Sequence, residues 1–304
     1  MRLSELGELG LLAELERQGL VQRIEGDAAR LPGGLVVTQD ALVEGVHFRL
    51  DWTSWRDLGY KAAAVNLSDL AASAAEPEGL VVTLALPPET DTECVLELYR
   101  GMAEAGVPVI GGDTSSAPSV LLSVTALGRA ERVPGRGGAK PGDLLVVTGT
   151  LGASAAGYLC LEAGIESPLV AAHLRPPLRL AEGRRLGAHA HALLDLSDGL
   201  AVDAGHIARR SGLRCVIELE RVPVAEGVAE LASRLGHDLH VLACGFGEDY
   251  ELLAATAEAE GETIVVGRCE AGSGVELRLG GEPVELRGWE HFRRPRLASP
   301  PPSR

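Results

Sequence analysis

Apolar residues recur at two different spacings in the first half of the chain, one helical and one typical of strands. Leu, Ala and charged residues at helical spacing over residues 3–18 predict an N-terminal helix. The β-branched run at residues 34–38 predicts a strand that ends at Asp40, and residues 41–48 predict a second strand. Similar runs predict strands at residues 80–86, 107–110 and 120–128.

A helix is predicted between these strands. Ser54, with Asp57 three residues later, resembles a capping box, and an Ala-rich segment then runs towards Asn66. Because helices and strands alternate, this order predicts an α/β or α+β domain.

The second half repeats this mixture after a segment rich in Gly and Pro. Residues 132–141 have the composition of a link, and 304 residues exceed the usual size of one core, so we predict domains at residues 1–138 and 139–304. The second domain is predicted to contain strands at residues 143–149, 193–195, 215–219, 251–255 and 263–267, and helices from residue 154 and over residues 200–210.

Composition and charge narrow the classes of function. Apolar residues make up 46% of the chain and aromatic residues 3%, so the core must be aliphatic. The net charge of -15 argues against nucleic acid or an anionic membrane as a partner, because both are bound mainly by Lys and Arg. An acidic protein can still bind phosphates through divalent cations.

The cysteines and the N-terminus indicate a cytoplasmic protein. The five cysteines are far apart in sequence and include no Cys-x-x-Cys pair, which argues against a disulfide framework or a zinc site. The first 20 residues have neither a basic start nor a cleavable apolar stretch, and no run of 18 apolar residues occurs.

Aspartates provide the candidate chemistry. Six of them stand where loops or caps are expected: Asp27, Asp40, Asp69, Asp113, Asp195 and Asp198. Most have small or apolar neighbours, which bring the backbone close to a ligand and offer no Arg or Lys for neutralisation. Since two charges 4 Å apart interact by about 4 kcal/mol at an effective dielectric near 20, such carboxylates need metal or protons to share a pocket. The pattern predicts a divalent-metal site.

Single motifs leave alternatives open. The chain contains neither a P-loop nor a Rossmann glycine fingerprint. Asp195 and Asp198 join a strand to a helix, where one carboxylate can cap the helix while the other remains for a metal. By itself, the acidic run at residues 247–251 is more typical of a solvated turn, and His47 and Trp289 are more typical of packing.

The joint order of these motifs resembles the thiamine-monophosphate kinases, members of the superfamily of aminoimidazole ribonucleotide synthetases, selenophosphate synthetases and a hydrogenase-maturation protein. Residues 66–72 (Asn-Leu-Ser-Asp-Leu-Ala-Ala) and 111–114 (Gly-Gly-Asp-Thr) are shared loosely across the superfamily. Residues 43–48 (Val-Glu-Gly-Val-His-Phe), 247–252 (Gly-Glu-Asp-Tyr-Glu-Leu) and 288–292 (Gly-Trp-Glu-His-Phe) select this family.

The resemblance implies ATP-dependent phosphorylation of thiamine monophosphate to thiamine diphosphate, with several Mg²⁺ ions and often a monovalent cation such as K⁺. It also implies the two-domain aminoimidazole ribonucleotide synthetase-like fold. In that fold an N-terminal four-stranded sheet pairs with its mate across a homodimer, and a C-terminal α/β domain closes over the nucleotide.

The resemblance also assigns roles to residues. The metal ligands would be Asp27, Thr38, Gln39, Asp40, Asp69, Asp113, Asp195 and Asp198, with Asp113 and Asp198 catalytic. ATP would contact Gly112, Arg136, Ser197 and Tyr99, and thiamine monophosphate would contact His47, Glu248 and Trp289. Trp289 offers a flat face, and Glu248 a charge, for an aromatic cation.

Two positions depart from the family pattern. Gly26 stands where the family has a first aspartate beside Asp27, and Phe246 stands where it has a glycine. The first change bears on the number of metal ions.

Phosphoryl transfer requires positioning and charge neutralisation, and a phosphate monoester acceptor needs no strong base, so we predict direct in-line transfer. Other readings are a sister ATP-using activity, such as amidine cyclisation or selenophosphate synthesis, a metal-dependent phosphohydrolase, and a non-catalytic nucleotide-binding regulator.

Overall fold

The N-terminal half forms one sheet with helices packed on it. A computed structural model describes residues 2–22, 26–259 and 261–286. Its first elements are α1 (Leu3–Arg17), β1 (Ala29–Arg30), β2 (Leu35–Val43), α2 (Trp55–Ala72), β3 (Glu76–Leu86), α3 (Thr92–Glu104), β4 (Val109–Ser116) and β5 (Leu121–Arg129). The strand order is β1-β2-β5-β3-β4, with β3 and β4 parallel and the other neighbours antiparallel. Four long strands thus form the sheet, and the two-residue β1 adds to its edge.

Three of the strands predicted in this sheet have the wrong bounds. Residues 34–38 and 41–48 do not form separate strands, because β2 pairs continuously with β5 from Leu35 to Val43, straight through Asp40. The strand predicted at residues 107–110 extends to Ser116, since β4 pairs with β3 over that length, so Gly-Gly-Asp lies within a strand and not in a loop.

The C-terminal half contains a larger sheet. Its elements are β6 (Leu144–Val147), α4 (Ala153–Ala163), α5 (Val170–Leu174), α6 (Leu180–His189), β7 (Ala192–Asp195), α7 (Leu200–Ser211), β8 (Arg214–Glu218), α8 (Val228–Leu235), α9 (Leu239–Gly245), β9 (Leu252–Thr256), β10 (Ile264–Glu270), β11 (Gly274–Leu279) and β12 (Glu282–Val284). The strand order is β12-β11-β8-β10-β6-β9-β7. The link between the sheets, residues 130–143, contains the position of the predicted domain division.

Helix α2 connects the two halves. It begins at the Ser54 cap, whose hydroxyl accepts a hydrogen bond from the Asp57 amide, as the capping box predicted. The helix packs against β2 and β5 on one side and against α6 and β7 of the C-terminal half on another. Most of its residues are buried, many of them alanines and leucines, so the polar side chains that it carries are held in fixed positions between the sheets.

Gly183 of α6 lets this helix approach α2. A Cβ at position 183 would lie 2.1 Å from the carbonyl oxygen of Ala71. We expect Gly183→Ala to lower the free energy of unfolding by about 1–3 kcal/mol, because the backbone of α2 cannot yield without moving the packed core. Chemical denaturation measures the change.

Gly205→Ala in α7 is the matched control. A Cβ there meets only Val275, at an ordinary 3.7 Å, and alanine favours the helix. An equal loss of stability in both variants would contradict the close-approach argument.

No helix in the described parts of the chain is long and apolar enough to cross a membrane.

All five cysteines are free thiols. Cys215 of β8 and Cys269 of β10 nevertheless lie opposite each other in register, a proximity that their separation in sequence did not indicate.

Candidate functional site

Three carboxylates from separate segments converge where α2 meets β7. Asp27 lies in the loop before β1, Asp69 near the end of α2 and Asp195 at the end of β7. Oxygen atoms of the three side chains all lie within 4.8 Å of one another. Residues up to 168 positions apart in sequence therefore form one acidic cluster, and all three belong to the predicted metal ligands.

The cluster is electrostatically costly when it holds no cation. Burial, together with the neighbouring Asp40, Asp195 and Asp27 carboxylates, raises the pKa of Asp69 well above its ordinary value. Burial and the Asp27 charge raise the pKa of Asp195 to about 8. One oxygen, Oδ2 of Asp27, is buried without a hydrogen-bond partner among the described residues. An oxygen of this kind, beside two further carboxylates, is suited to bind a cation.

The sequence shows no Arg or Lys beside these aspartates, so we expected none to neutralise them. Arg136 shows that this expectation was wrong. Its guanidinium comes from the link between the sheets and donates to Oδ1 of Asp27 from Nε at 2.8 Å and from Nη2 at 2.5 Å. The partner is 109 positions away, so local sequence could not reveal it. Arg136 neutralises part of the cluster and leaves Oδ2 of Asp27 for a ligand.

Neutral side chains hold the carboxylates in place. Thr38 of β2 donates its hydroxyl to Oδ2 of Asp69 at 2.5 Å, and Ser68 of α2 donates to Oδ2 of Asp195 at 2.6 Å. Asn66 accepts a hydrogen bond from the Asp40 amide at 2.9 Å, which joins α2 to β2. Ser68 was not among the predicted site residues, although its place in Asn-Leu-Ser-Asp was a usable signal.

A second acidic group adjoins the first at the start of α7. Oxygen and nitrogen atoms of Asp198, Asp203 and His206 lie within 4.8 Å of one another. The buried Asp203 carboxylate accepts the amide hydrogens of Asp198 and Gly199, so it fixes the turn that carries Asp198. Burial, with the Arg136 charge, lowers the pKa of His206 to about 3, so this imidazole is neutral at pH 7. Neither Asp203 nor His206 was predicted.

Asp113 lies away from these clusters within one chain. It is exposed on the edge strand β4, where Gly112 and Asp113 pair with Val82 and Thr83 of β3. Three strand spacings separate β4 from β2, so Asp113 lies roughly 14 Å from Asp40 and Gln39 across the sheet. A Cβ at Gly112 would lie 1.9 Å from the Val82 carbonyl oxygen, which explains this glycine structurally.

A third group surrounds Glu248. Lys61 of α2 donates to its Oε2 at 2.9 Å, and Nδ1 of His173 in α5 lies 3.3 Å from the same oxygen. Amides of the turn at residues 247–250 donate to the 196–198 segment, from Glu248 to Ser197 at 2.8 Å and from Tyr250 to Leu196 at 3.0 Å. The acidic run is thus not a solvated turn, since Asp249 is buried.

The remaining predicted site residues have different positions. His47, after β2, accepts the Val43 amide hydrogen through Nδ1 at 3.0 Å and lies close enough to Glu248 to favour its charged form. Ser197 lies on the turn that carries Asp198, and Tyr99 is half-buried on α3 against the N-terminal core. Trp289 lies outside the described residues.

Family models match both halves of the chain. The AIR synthase related protein N-terminal domain matches residues 25–130, and the C-terminal domain of the same name matches residues 140–280. Thiamine-monophosphate kinase from Aquifex aeolicus is 35% identical over 96% of this chain and 100% of its own length. The enzyme of that name from Mycobacterium tuberculosis (strain H37Rv) is 36% identical over 96% of this chain and 94% of its own length.

Solved structures agree with these matches. A complex described as AaThiL with AMPPCP and TMP superposes with a TM-score of 0.90, at 35% identity, over 96% of this chain and 99% of that chain. The hydrogenase maturation protein HypE in complex with ATP has a TM-score of 0.70 at 22% identity, over 93% of this chain and 94% of that chain, which shows a shared fold. With two domain models and full-length relatives above 30% identity, the chain belongs to the thiamine-monophosphate kinase family of AIR synthase related proteins.

Proposed function

We propose that this protein transfers the γ-phosphoryl group of ATP to thiamine monophosphate and forms thiamine diphosphate. The observation that carries the proposal is the convergence of Asp27, Asp69 and Asp195 beside the turn that bears Ser197 and Asp198. The names of the full-length relatives and the bound AMPPCP and TMP of the similar structure support the choice of substrates.

The distance between two groups on α2 fits a substrate of this size. Lys61, which holds Glu248, and Ser68, which holds Asp195, are seven residues apart and therefore face the same side of the helix, about 10 Å from each other. An acceptor with a cationic ring at one end and a phosphate at the other can thus have its ring near Glu248 and its phosphate near the acidic cluster.

The acidic cluster fits Mg²⁺. We assign its shell to Asp27, Thr38, Gln39, Asp40, Asp69, Asp195 and Asp198, with Asp113 added from a second subunit. Carboxylate oxygens and phosphate oxygens are the ligands that Mg²⁺ takes. Within the part of the chain that the structure describes, the buried Oδ2 of Asp27 has no hydrogen-bond partner. Bound Mg²⁺ would neutralise the charge on the phosphates and align them. A monovalent cation such as K⁺ remains part of the proposal.

The residues themselves would position and orient the reactants. Arg136 holds Asp27 in place, and Asp203 fixes the amides of Asp198 and Gly199. The acceptor phosphate is mostly dianionic at pH 7, so it attacks without a general base, in line with the leaving ADP. Inversion of configuration at a chirally labelled γ-phosphorus supports this route, and retention contradicts it.

Incubation of the purified protein with Mg-ATP and thiamine monophosphate tests the function. We expect equal amounts of ADP and thiamine diphosphate, measured by chromatography. ADP without a phosphorylated acceptor would instead identify a phosphohydrolase, and ATP binding without turnover a regulator.

Free strand edges support a homodimer as the working form. Among the described strands, β4 has a neighbour on one side only, and β1 covers β2 only at Val36 and Val37, so residues 38–43 have an open edge. Exposed edges of this length need a partner. In a two-fold dimer, β4 of one subunit would lie along β2 of the other, which places Asp113 beside the Asp40 of the second subunit.

Mixing two inactive variants tests this arrangement. We expect Asp113→Asn and Asp195→Asn each to be inactive alone. After unfolding and joint refolding, about a quarter of wild-type activity should return, since half of the dimers are mixed and each of those has one intact site. Activity assays of the refolded mixture provide the measurement.

Separately refolded and then pooled variants are the control and should stay inactive. If dimers that contain one copy of each variant are shown to form and still have no activity, the shared site is contradicted. Near-normal activity of Asp113→Asn alone would remove this residue from the site.

The free cysteines support our proposal of a cytoplasmic location.

A further inference from the structure

Lys61 is a buried cation that the phosphoryl-transfer site does not explain. It lies within a helical run of alanine and other small or apolar residues, and only 2% of its side chain is exposed. Its ammonium nitrogen donates to Oε2 of Glu248 at 2.9 Å, across 187 positions of sequence. A buried lysine is costly unless it is paired, so this contact accounts for its position.

Glu248 is held in an unusual backbone conformation. Its φ of 57° and that of Tyr250, 51°, lie in the left-handed region that non-glycine residues rarely adopt. Such a conformation persists only where surrounding contacts determine it, and it occurs mainly at functional sites. Here Lys61 and His173 contact the Glu248 carboxylate, and the Glu248 amide donates a hydrogen bond to the carbonyl oxygen of Ser197.

The contacts leave one oxygen of the carboxylate for a ligand. Within the described residues, Lys61 and His173 both approach Oε2, and Ser154 lies 3.0 Å from Nδ1 of His173. Burial lowers the pKa of His173 to about 3, so this imidazole is neutral and Lys61 provides the positive charge. Burial opposes the ionisation of Glu248, but Lys61 outweighs it, and the pKa of Glu248 lies below its ordinary value.

We propose that Lys61 is a positioning residue for acceptor specificity. It keeps Glu248 ionised and fixed on its turn, so that Oε1 faces the cationic ring of the acceptor. This inference rests on the proposed function, because it identifies how that function selects an aromatic cation. Lys61 itself does not touch the acceptor.

Lys61→Met tests the role, because methionine fills nearly the same volume without charge. We expect the KM for thiamine monophosphate to rise at least about tenfold, while kcat and the KM for ATP change less than about threefold. Glu248→Gln should give a similar rise. In the double variant the two effects should not multiply, since both remove the same charge.

Calorimetry of the protein loaded with Mg-AMPPCP measures the affinity for thiamine monophosphate and gives the same comparison without turnover. If Lys61→Met does not fold, Lys61→Gln replaces it. Lys140→Met changes an exposed lysine and is the matched control. An unchanged KM and affinity in a folded Lys61 variant would overturn the proposal, as would multiplying effects in the double variant or a loss confined to kcat. If the wild type forms no thiamine diphosphate, the proposed function itself is wrong. If the wild type turns over normally and the Lys61 variant has an unchanged KM for thiamine monophosphate, only this inference is refuted.

Discussion

Asp195→Asn is expected to abolish turnover and, in metal-free protein, to increase stability. The loss of activity should be on the order of a thousandfold, about 4 kcal/mol of transition-state stabilisation, because the amide cannot replace a charged ligand. Stability should rise because an asparagine has no buried carboxyl that must either take up a proton on folding or stay charged beside Asp27, while its oxygen can still accept the Ser68 hydroxyl. Steady-state kinetics and thermal unfolding in a chelator measure the two effects.

The opposite signs distinguish a ligand site from a structural one. Added Mg²⁺ should raise the unfolding temperature of the wild type but not that of Asp195→Asn, because only the wild type has the full cluster. Glu270→Gln is the matched control, since Glu270 pairs with Arg268 on β10 outside the site, and it should change neither activity nor the response to Mg²⁺. Lower stability of metal-free Asp195→Asn would contradict the charge argument.

The second large effect is a pH dependence of stability in the metal-free protein. Burial and Asp27 raise the pKa of Asp195 from 3.8 to about 8, so the folded state holds a proton that the unfolded state has lost. Stability from this group is therefore complete below pH 4 and is lost as the pH rises through 8. Between pH 5 and 8.5 the loss should be on the order of 4 kcal/mol.

The comparison of wild type with Asp195→Asn measures the titration of Asp195 together with its effect on the pKa of the neighbouring Asp69. His173 and His206 have lowered pKa values, each about 3, so below pH 6.5 they act in the opposite direction, but they do so equally in both proteins. The difference between their free energies of unfolding should thus grow in favour of the variant as the pH rises. Saturating Mg²⁺ should remove most of the dependence for the wild type. A constant difference across this range would show that Asp195 is not protonated in the fold.

The structure brings Asp27, Asp69 and Asp195 together, but the sequence misjudged some of the elements that carry the predicted aspartates. The aspartates were expected in loops or caps, yet Asp40 and Asp113 lie within strands and Asp69 lies in α2. Small neighbours are compatible with any close backbone approach, so composition alone could not distinguish a turn from a strand or a helix. The family resemblance provided the roles that single motifs left open.

Contacts between distant segments could not be read from the sequence. Arg136 reaches Asp27 across 109 positions, and Lys61 reaches Glu248 across 187, because the two halves pack along α2. The acidic run at residues 247–251 was more typical of a solvated turn, but hydrogen bonds to residues 196–198 hold it against the site and bury Asp249. Burial and pairing are properties of the packed chain and not of local composition.

The sequence by itself determined the alternation of helices and strands, the link between the two halves and the family, and it predicted which aspartates would act as ligands. Periodicity, turn residues and motif order are local, and they persist in the unfolded chain. Only the tertiary structure decided that three carboxylates meet beside Arg136 and that Lys61 contacts Glu248. It also decided that Asp113 lies on the edge strand β4, three strands from β2 in the same sheet. The physical reason is that charge neutralisation depends on distances of a few ångströms between residues that only the packing of α2 brings together.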